Sequence, residues 1–213
     1  MLNYRGYWRD HPSLQGRFHE EFPDDMQVYV HDGGPRLIGI PPEYIWVRVT
    51  GFEMRPFGDV FRGTVLNQPH HLKTVAQHQP IQFVVPDGFP YPVMVTEKYF
   101  GERELWQFSI CPHCGMSEML DAPSDFRQKV FPHAVKATEG GQVSGITFGM
   151  LCPACGGVMI AKQRESPDDP YVFTMEKQGE PRTPFAIPYR KISADQPQQA
   201  EDARPRKWWQ FWR

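Results

Sequence analysis

Apolar positions in this chain come in short clusters rather than long helical stripes. Tyr44-Ile45-Trp46-Val47-Arg48-Val49-Thr50 is rich in β-branched and aromatic residues; Arg48 breaks the run and Gly51 opens a turn. Asp59 to Leu66 predicts a second strand, left through Asn67 and Pro69, whose types suit a strand exit. Pro80 to Val85 predicts a third, stopped by Pro86-Asp87-Gly88. Trp46, an aromatic on a half-buried strand, is expected in the core. Short strands with this punctuation predict an antiparallel sheet or small barrel.

Further along, Trp106 to Ile110 alternates, Ile146 to Leu151 forms an apolar run, and Val158 to Lys162 follows. Ser124 to Phe131 predicts a short helix capped by Ser124 and stopped by Pro132. Tyr171 to Met175 predicts one last strand before a Pro-rich extended stretch. Residues 1–36 scatter Tyr4, Tyr7, Trp8, Phe18 and Phe22 among charges without a period, which predicts an irregular arm packed on the body through its aromatics. The pattern divides the chain into this N-terminal arm, a β domain over 37–100, a cysteine-bearing domain over 101–192 and a linker with an aromatic-basic tail over 193–213. The expected fold class is mainly β, α+β at most.

Composition agrees: 22 Pro and 18 Gly among 213 residues favour turns and short strands over long helices. The formal charge of −2 supplies no general electrostatic attraction for nucleic acid. Between the cysteine pairs, Arg127, Lys129 and Lys136 face Glu118, Asp121, Asp125 and Glu139, so that stretch is not basic either. The start of the chain has no apolar segment of the signal-peptide kind, and no run reaches the roughly 18 apolar residues of a membrane span. A cytoplasmic location is therefore expected, where Cys-x-x-Cys pairs hold metal more readily than disulfides.

The four cysteines stand in two matched motifs, Cys111-Pro112-His113-Cys114-Gly115 and Cys152-Pro153-Ala154-Cys155-Gly156. Proline after the first cysteine presets the turn, glycine after the second turns the chain back, and both sulfurs then face one ion. Cys111, Cys114, Cys152 and Cys155 are the expected metal ligands, and four thiolates fill a tetrahedral zinc shell with no position left for water. The zinc is thus expected to be structural. Thirty-seven residues separate Cys114 from Cys152, so an insertion over about 116–145 is expected between the knuckles. These motifs resemble rubredoxin-type knuckles and zinc ribbons over residues 106–162. Iron fits the same four sulfurs, whereas a thiol oxidoreductase would need a single pair in a βαβ setting.

Trp46-Val47-Arg48-Val49-Thr50-Gly51, Arg62-Gly63-Thr64-Val65-Leu66-Asn67-Gln68-Pro69 and Ile81-Gln82-Phe83 resemble the YegJ-like bacterial domain of unknown function. The sequence departs from that pattern at His78-Gln79-Pro80, where a Gly-Asp turn is usual. The resemblance implies a small β module for binding or scaffolding, related to bacterial immunity-type proteins that cover a partner toxin. It carries no catalytic residues.

Other motifs have plainer readings. His70, His71 and His78 share a loop and read as surface; His113 reads as exposed. Glu20, Glu21, Asp24 and Asp25 read as a solvated acidic cluster, or one that meets a basic partner. No phosphate loop, nucleophile elbow or His-Glu-x-x-His is present, so no catalytic residues are expected. The tail from Arg204 to Arg213 sets Trp208, Trp209, Phe211 and Trp212 among four cations, a candidate partner-binding segment that can fold back, dock on a protein or meet an anionic membrane surface. The sequence thus points to a non-enzymatic zinc-binding module for another protein, of the immunity or adaptor kind; the alternatives are a zinc-ribbon protein associated with nucleic acid and an enzyme acting near His70–His78.

Overall fold

The computed structural model describes residues 7–132 and 146–175. The chain is mainly β, as its clustered apolar pattern predicts. The first five strands are β1 (Asp25–Val30), β2 (Glu43–Arg55), β3 (Gly58–Val65), β4 (Pro80–Val84) and β5 (Val93–Val95), with a short helix α1 (Pro35–Ile38) after β1. They close into a barrel in sequence order, antiparallel throughout except where β1 meets β5 in parallel. Helix α2 (Glu97–Glu102) leads to β6 (Trp106–Ser109), followed by α3 (Pro123–Val130), β7 (Thr147–Leu151), β8 (Val158–Gln163) and β9 (Val172–Phe173). These last strands form a second sheet in the order β7-β8-β6-β9.

The barrel interior follows the pleat. Ile45, Val47 and Val49 of β2 point inward and are fully buried with Val28, Phe61, Val65 and Phe83. That parity turns Trp46 outward. It is half-buried, its ring centroid 5.2 Å from that of His19 in an edge-to-face contact, so the expected core tryptophan is a wall residue. Arg48 also faces out, where the register puts it opposite Asp25 at 2.8 Å. At Thr50 an extra residue bulges β2 before Gly51 pairs with Arg62.

The arm is less irregular than its sequence pattern. Leu14 is fully buried in the barrel core, Trp8 and Phe18 pack on it, and β1 begins at Asp25. Asp24 accepts from Arg9 at 2.6 Å. The acidic cluster is therefore half engaged: Asp24 and Asp25 are paired, while Glu20 and Glu21 stay exposed. Strand β1 lacks a clean alternation because both its faces are covered: Met26, Val28 and Val30 line the barrel, and Tyr29 looks the other way.

Tyr29 belongs to a second core. It packs with Val60, Val84, Phe89, Val93 and Val95 of the barrel's outer wall against Trp106, Phe108, Met116, Phe148, Met150 and Met159 of the second sheet. One apolar core thus crosses residue 100, where composition drew a domain boundary. The expected insertion is partly structural too: Met116, Met119 and Leu120 are buried in it. Helix α3 begins at Pro123 after an N-cap Ala122, and Ser124, the expected cap, instead places its N–H and hydroxyl on Glu102 at 2.9 and 2.5 Å. Residues 133–145 lie outside the described residues, as do 176–213 with the tail.

His31 is sealed at the end of the barrel. Its Nε2 lies 2.7 Å from the Met94 carbonyl, and Nδ1 accepts the Gly33 N–H at 3.0 Å, which suits the neutral ring. Burial lowers its pKa to about 4. The unfolded ring takes a proton near pH 6.5, so keeping the ring neutral favours the fold fully above that pH, and this stabilisation is lost as pH falls to 4. The loss amounts to about 3 kcal/mol. In urea titrations from pH 7 to 4, His31→Asn should show a shallower fall in stability than the native chain; equal slopes would contradict this assignment.

Candidate metal centre

Strands β6 and β7 both run antiparallel to β8, so they are parallel to each other and deliver their two Cys-x-x-Cys turns to the same end of the sheet. The turns are built alike. Gly115 N–H donates to the Cys111 carbonyl at 3.0 Å, and Gly156 N–H to the Cys152 carbonyl at 2.9 Å. Cys111 N–H donates to Met116 at 2.8 Å, and Cys152 N–H to Gly157 at 2.6 Å. Both glycines are left-handed, with φ of 78° and 81°. The local sequence symmetry therefore becomes a structural pseudo-symmetry.

The four sulfurs all lie within 4.8 Å of one another, with Cys111–Cys155 and Cys114–Cys152 each at 3.5 Å. A tetrahedral shell with bonds of about 2.3 Å sets its sulfurs about 3.8 Å apart, so the cluster has the dimensions of a four-sulfur metal site. All four are free thiols. Cys111 and Cys152 are buried and Cys155 is exposed, so the site is seated in the shared core and closed at the surface by the knuckle turns.

The crowded thiols hinder one another's ionisation. The Cys114 thiol, sharing its proton with Cys152, pulls Cys152 down to about 5, helped by backbone N–H groups of Cys155 and Ala154. The same contact drives Cys114 strongly upward, and burial lifts Cys155 to about 11. Crowded thiols cannot all ionise unaided; a bound dication is what allows four thiolates in one place.

Close packing holds the first knuckle on the barrel. A Cβ on Gly115 would come 2.5 Å from the Gly88 carbonyl oxygen, in the loop after β4. Gly115→Ala should therefore lose both the left-handed turn, about 1–2 kcal/mol, and this approach. A lowered melting temperature together with weaker metal retention is the expected result; an unchanged melting temperature would contradict it.

His113 is exposed, as expected, and supplies no ligand atom to the cluster. The His70–His78 loop is not a metal site among the described residues. Instead the His70, His71 and Leu72 N–H groups are gathered by the Glu43 carboxylate at 2.9, 2.6 and 3.3 Å. Asn67 Oδ1 accepts the Trp46 N–H at 2.9 Å, which fits its expected role at the strand exit.

Nothing local in the sequence marks Arg103, the largest fully buried side chain among the described residues. Arg103 is 0% exposed and bonds Glu118 with both Nε and Nη2, at 3.0 and 3.1 Å. Its Nη1 donates to the Trp106 carbonyl at 2.9 Å and its guanidinium covers Phe108 at 4.5 Å. The Tyr99 hydroxyl also donates to Glu118, and burial raises its pKa well above the usual phenol value. Glu118, counted from sequence among the surface acids between the cysteine pairs, is thus an interior ion that ties α2 to the chain leaving the first knuckle.

Comparison with protein-family models, with curated proteins and with solved structures yields no match to this chain. Among the described residues, no helix is long and apolar enough to cross a membrane.

Proposed function

We propose that this chain is a zinc-stabilised, non-catalytic protein that works by covering another protein, in the manner of the immunity-type proteins related to the YegJ-like domain that residues 44–83 resemble. The observation that supports this most is the closed sulfur cluster. Four protein sulfurs within 4.8 Å satisfy a tetrahedral ion completely, so the metal has no vacant position for substrate or water. Zinc is the metal proposed; iron fits the same four sulfurs, and the metal's X-ray absorption edge separates the two. The metal then serves to hold a surface in shape.

The test is affinity capture from the native host with the zinc-loaded full chain, followed by assay of the captured protein. A stoichiometric protein partner whose activity falls on binding, and which is lost from Cys152→Ser, is the expected outcome. Recovery of nucleic acid that elutes with modest salt, or turnover of a small molecule by the chain itself, would contradict the reading.

A further inference from the structure

Among the described residues, the second sheet ends in an edge strand paired on one side only. β7 is its outer member. The Gln163 N–H donates to the Ile146 carbonyl at 2.7 Å, and Cys152 N–H to Gly157 at 2.6 Å. These bonds fix the parity of β7: even-numbered residues face β8, and Thr147, Gly149 and Leu151 turn their N–H and C=O groups outward. None of those three has a backbone partner on that side among the described residues. The strand reads Thr-Phe-Gly-Met-Leu, with none of the charges or prolines that usually blunt an exposed edge.

A groove of about 400 Å³ runs along this edge. Phe126 and Val130 of α3, Met150 and Leu151 of β7 and Val158 of β8 give it apolar walls. Leu151 and Val158 are cross-strand neighbours and stay 39% and 56% exposed. A Cβ on Gly149 would meet open space, so the floor at mid-strand is clear. The groove carries one carboxylate. Asp121 accepts the Gly34 N–H at 3.0 Å, is half-buried, and makes no ion pair among the described residues. Lys129 attracts it and Asp125 opposes it through space, while Arg36 stands exposed at the rim.

The geometry points to a peptide-accepting site: an extended segment of a partner protein adds to β7 as a further strand. It sets alternate apolar side chains into the groove and a lysine or arginine beside Asp121. Main-chain bonds to Thr147, Gly149 and Leu151 supply the attachment, and the groove with its one carboxylate selects the side chains. This rests on the protein-binding reading above and names the surface used.

Random seven-residue peptides displayed on phage, selected on the zinc-loaded full chain, test the inference. Selected peptides should alternate apolar residues and carry a lysine or arginine. By fluorescence anisotropy their affinity should fall at least tenfold on Val158→Lys and on Asp121→Asn, both at partly exposed positions that leave the fold intact. Methylating peptide amides at every second position should abolish binding in one phase and spare it in the other. No enrichment over the Val158→Lys variant would overturn the inference, as would binding indifferent to N-methylation. So would a β7-dependent dimer in sedimentation, because a second copy would then fill the edge. If a captured host protein binds Val158→Lys as well as the native chain, the site is wrong while the protein-binding role stands.

Discussion

A zinc-loaded preparation treated with a strong chelator is expected to lose the second sheet as a unit. The ligands Cys111 and Cys152 lie inside the core that joins β6, β7 and β8 to the barrel wall, so the ion and that core stand or fall together. Structural zinc contributes on the order of 10 kcal/mol or more, and whole domains are stable by about 5–15 kcal/mol. No other term in this half is large enough to replace it. Hydrogen exchange should show amides of Trp106–Ser109, Thr147–Leu151 and Val158–Gln163 exchanging freely after chelation. Val28, Val47 and Phe83, inside the separate barrel core, should retain more protection. Cys152→Ser should reproduce the effect, and re-addition of zinc should reverse it only in the native chain. Uniform protection in the chelated protein would mean that the cluster is not structural.

The second large effect is expected at Arg103. Removing one partner of a buried ion pair strands the other charge, at a cost of about 3–5 kcal/mol, whereas replacing both by apolar groups of similar size is far milder. Arg103→Met should therefore lower stability by about that amount, since Glu118 would remain buried with Tyr99 as its chief donor. The double variant Arg103→Met with Glu118→Leu should recover much of the loss. Chemical denaturation of Arg103→Met, of Glu118→Leu and of the double variant checks this, and additive losses would show that the pair is not coupled. The unfolding transition should also lose cooperativity in the single variant, because this pair links α2 to the chain behind the first knuckle.

Sequence reading served best where the determinants are local. Each Cys-Pro-x-Cys-Gly or Cys-Pro-x-Cys-Gly-Gly run encodes its own turn, and the structure brings the two together as the spacing requires. The strands around 44–50 and 59–66 are likewise legible as β-branched clusters, but the turn expected at Gly51 is not there: β2 bulges at Thr50 and runs on through Gly51 to Arg55. β1 and β5 are not legible. Each is buried on both faces, so alternation is erased, and β5 is only three residues long between Pro92 and Thr96. Trp46 illustrates a parity error: residue type suggested the interior, but the pleat that buries Ile45 and Val47 obliges it to face out. Arg103 and Glu118 show the opposite limit. Charged residues in Gly-Glu-Arg-Glu and Ser-Glu-Met look solvated in isolation, and only tertiary folding pairs them across 15 positions. The free edge of β7 was invisible for the same reason, because an edge is defined by which strand is missing beside it. The aromatic tail with Trp208, Trp209, Phe211 and Trp212 lies outside the described residues.

X-ray absorption at the zinc edge of the purified, tag-free chain bears most directly on the central claim, that four thiolates close around one ion and so organise the second half of the fold. One zinc per chain with a shell of four sulfurs at about 2.3 Å is the predicted spectrum. A chain without stoichiometric metal, or a shell containing nitrogen or oxygen, would contradict it.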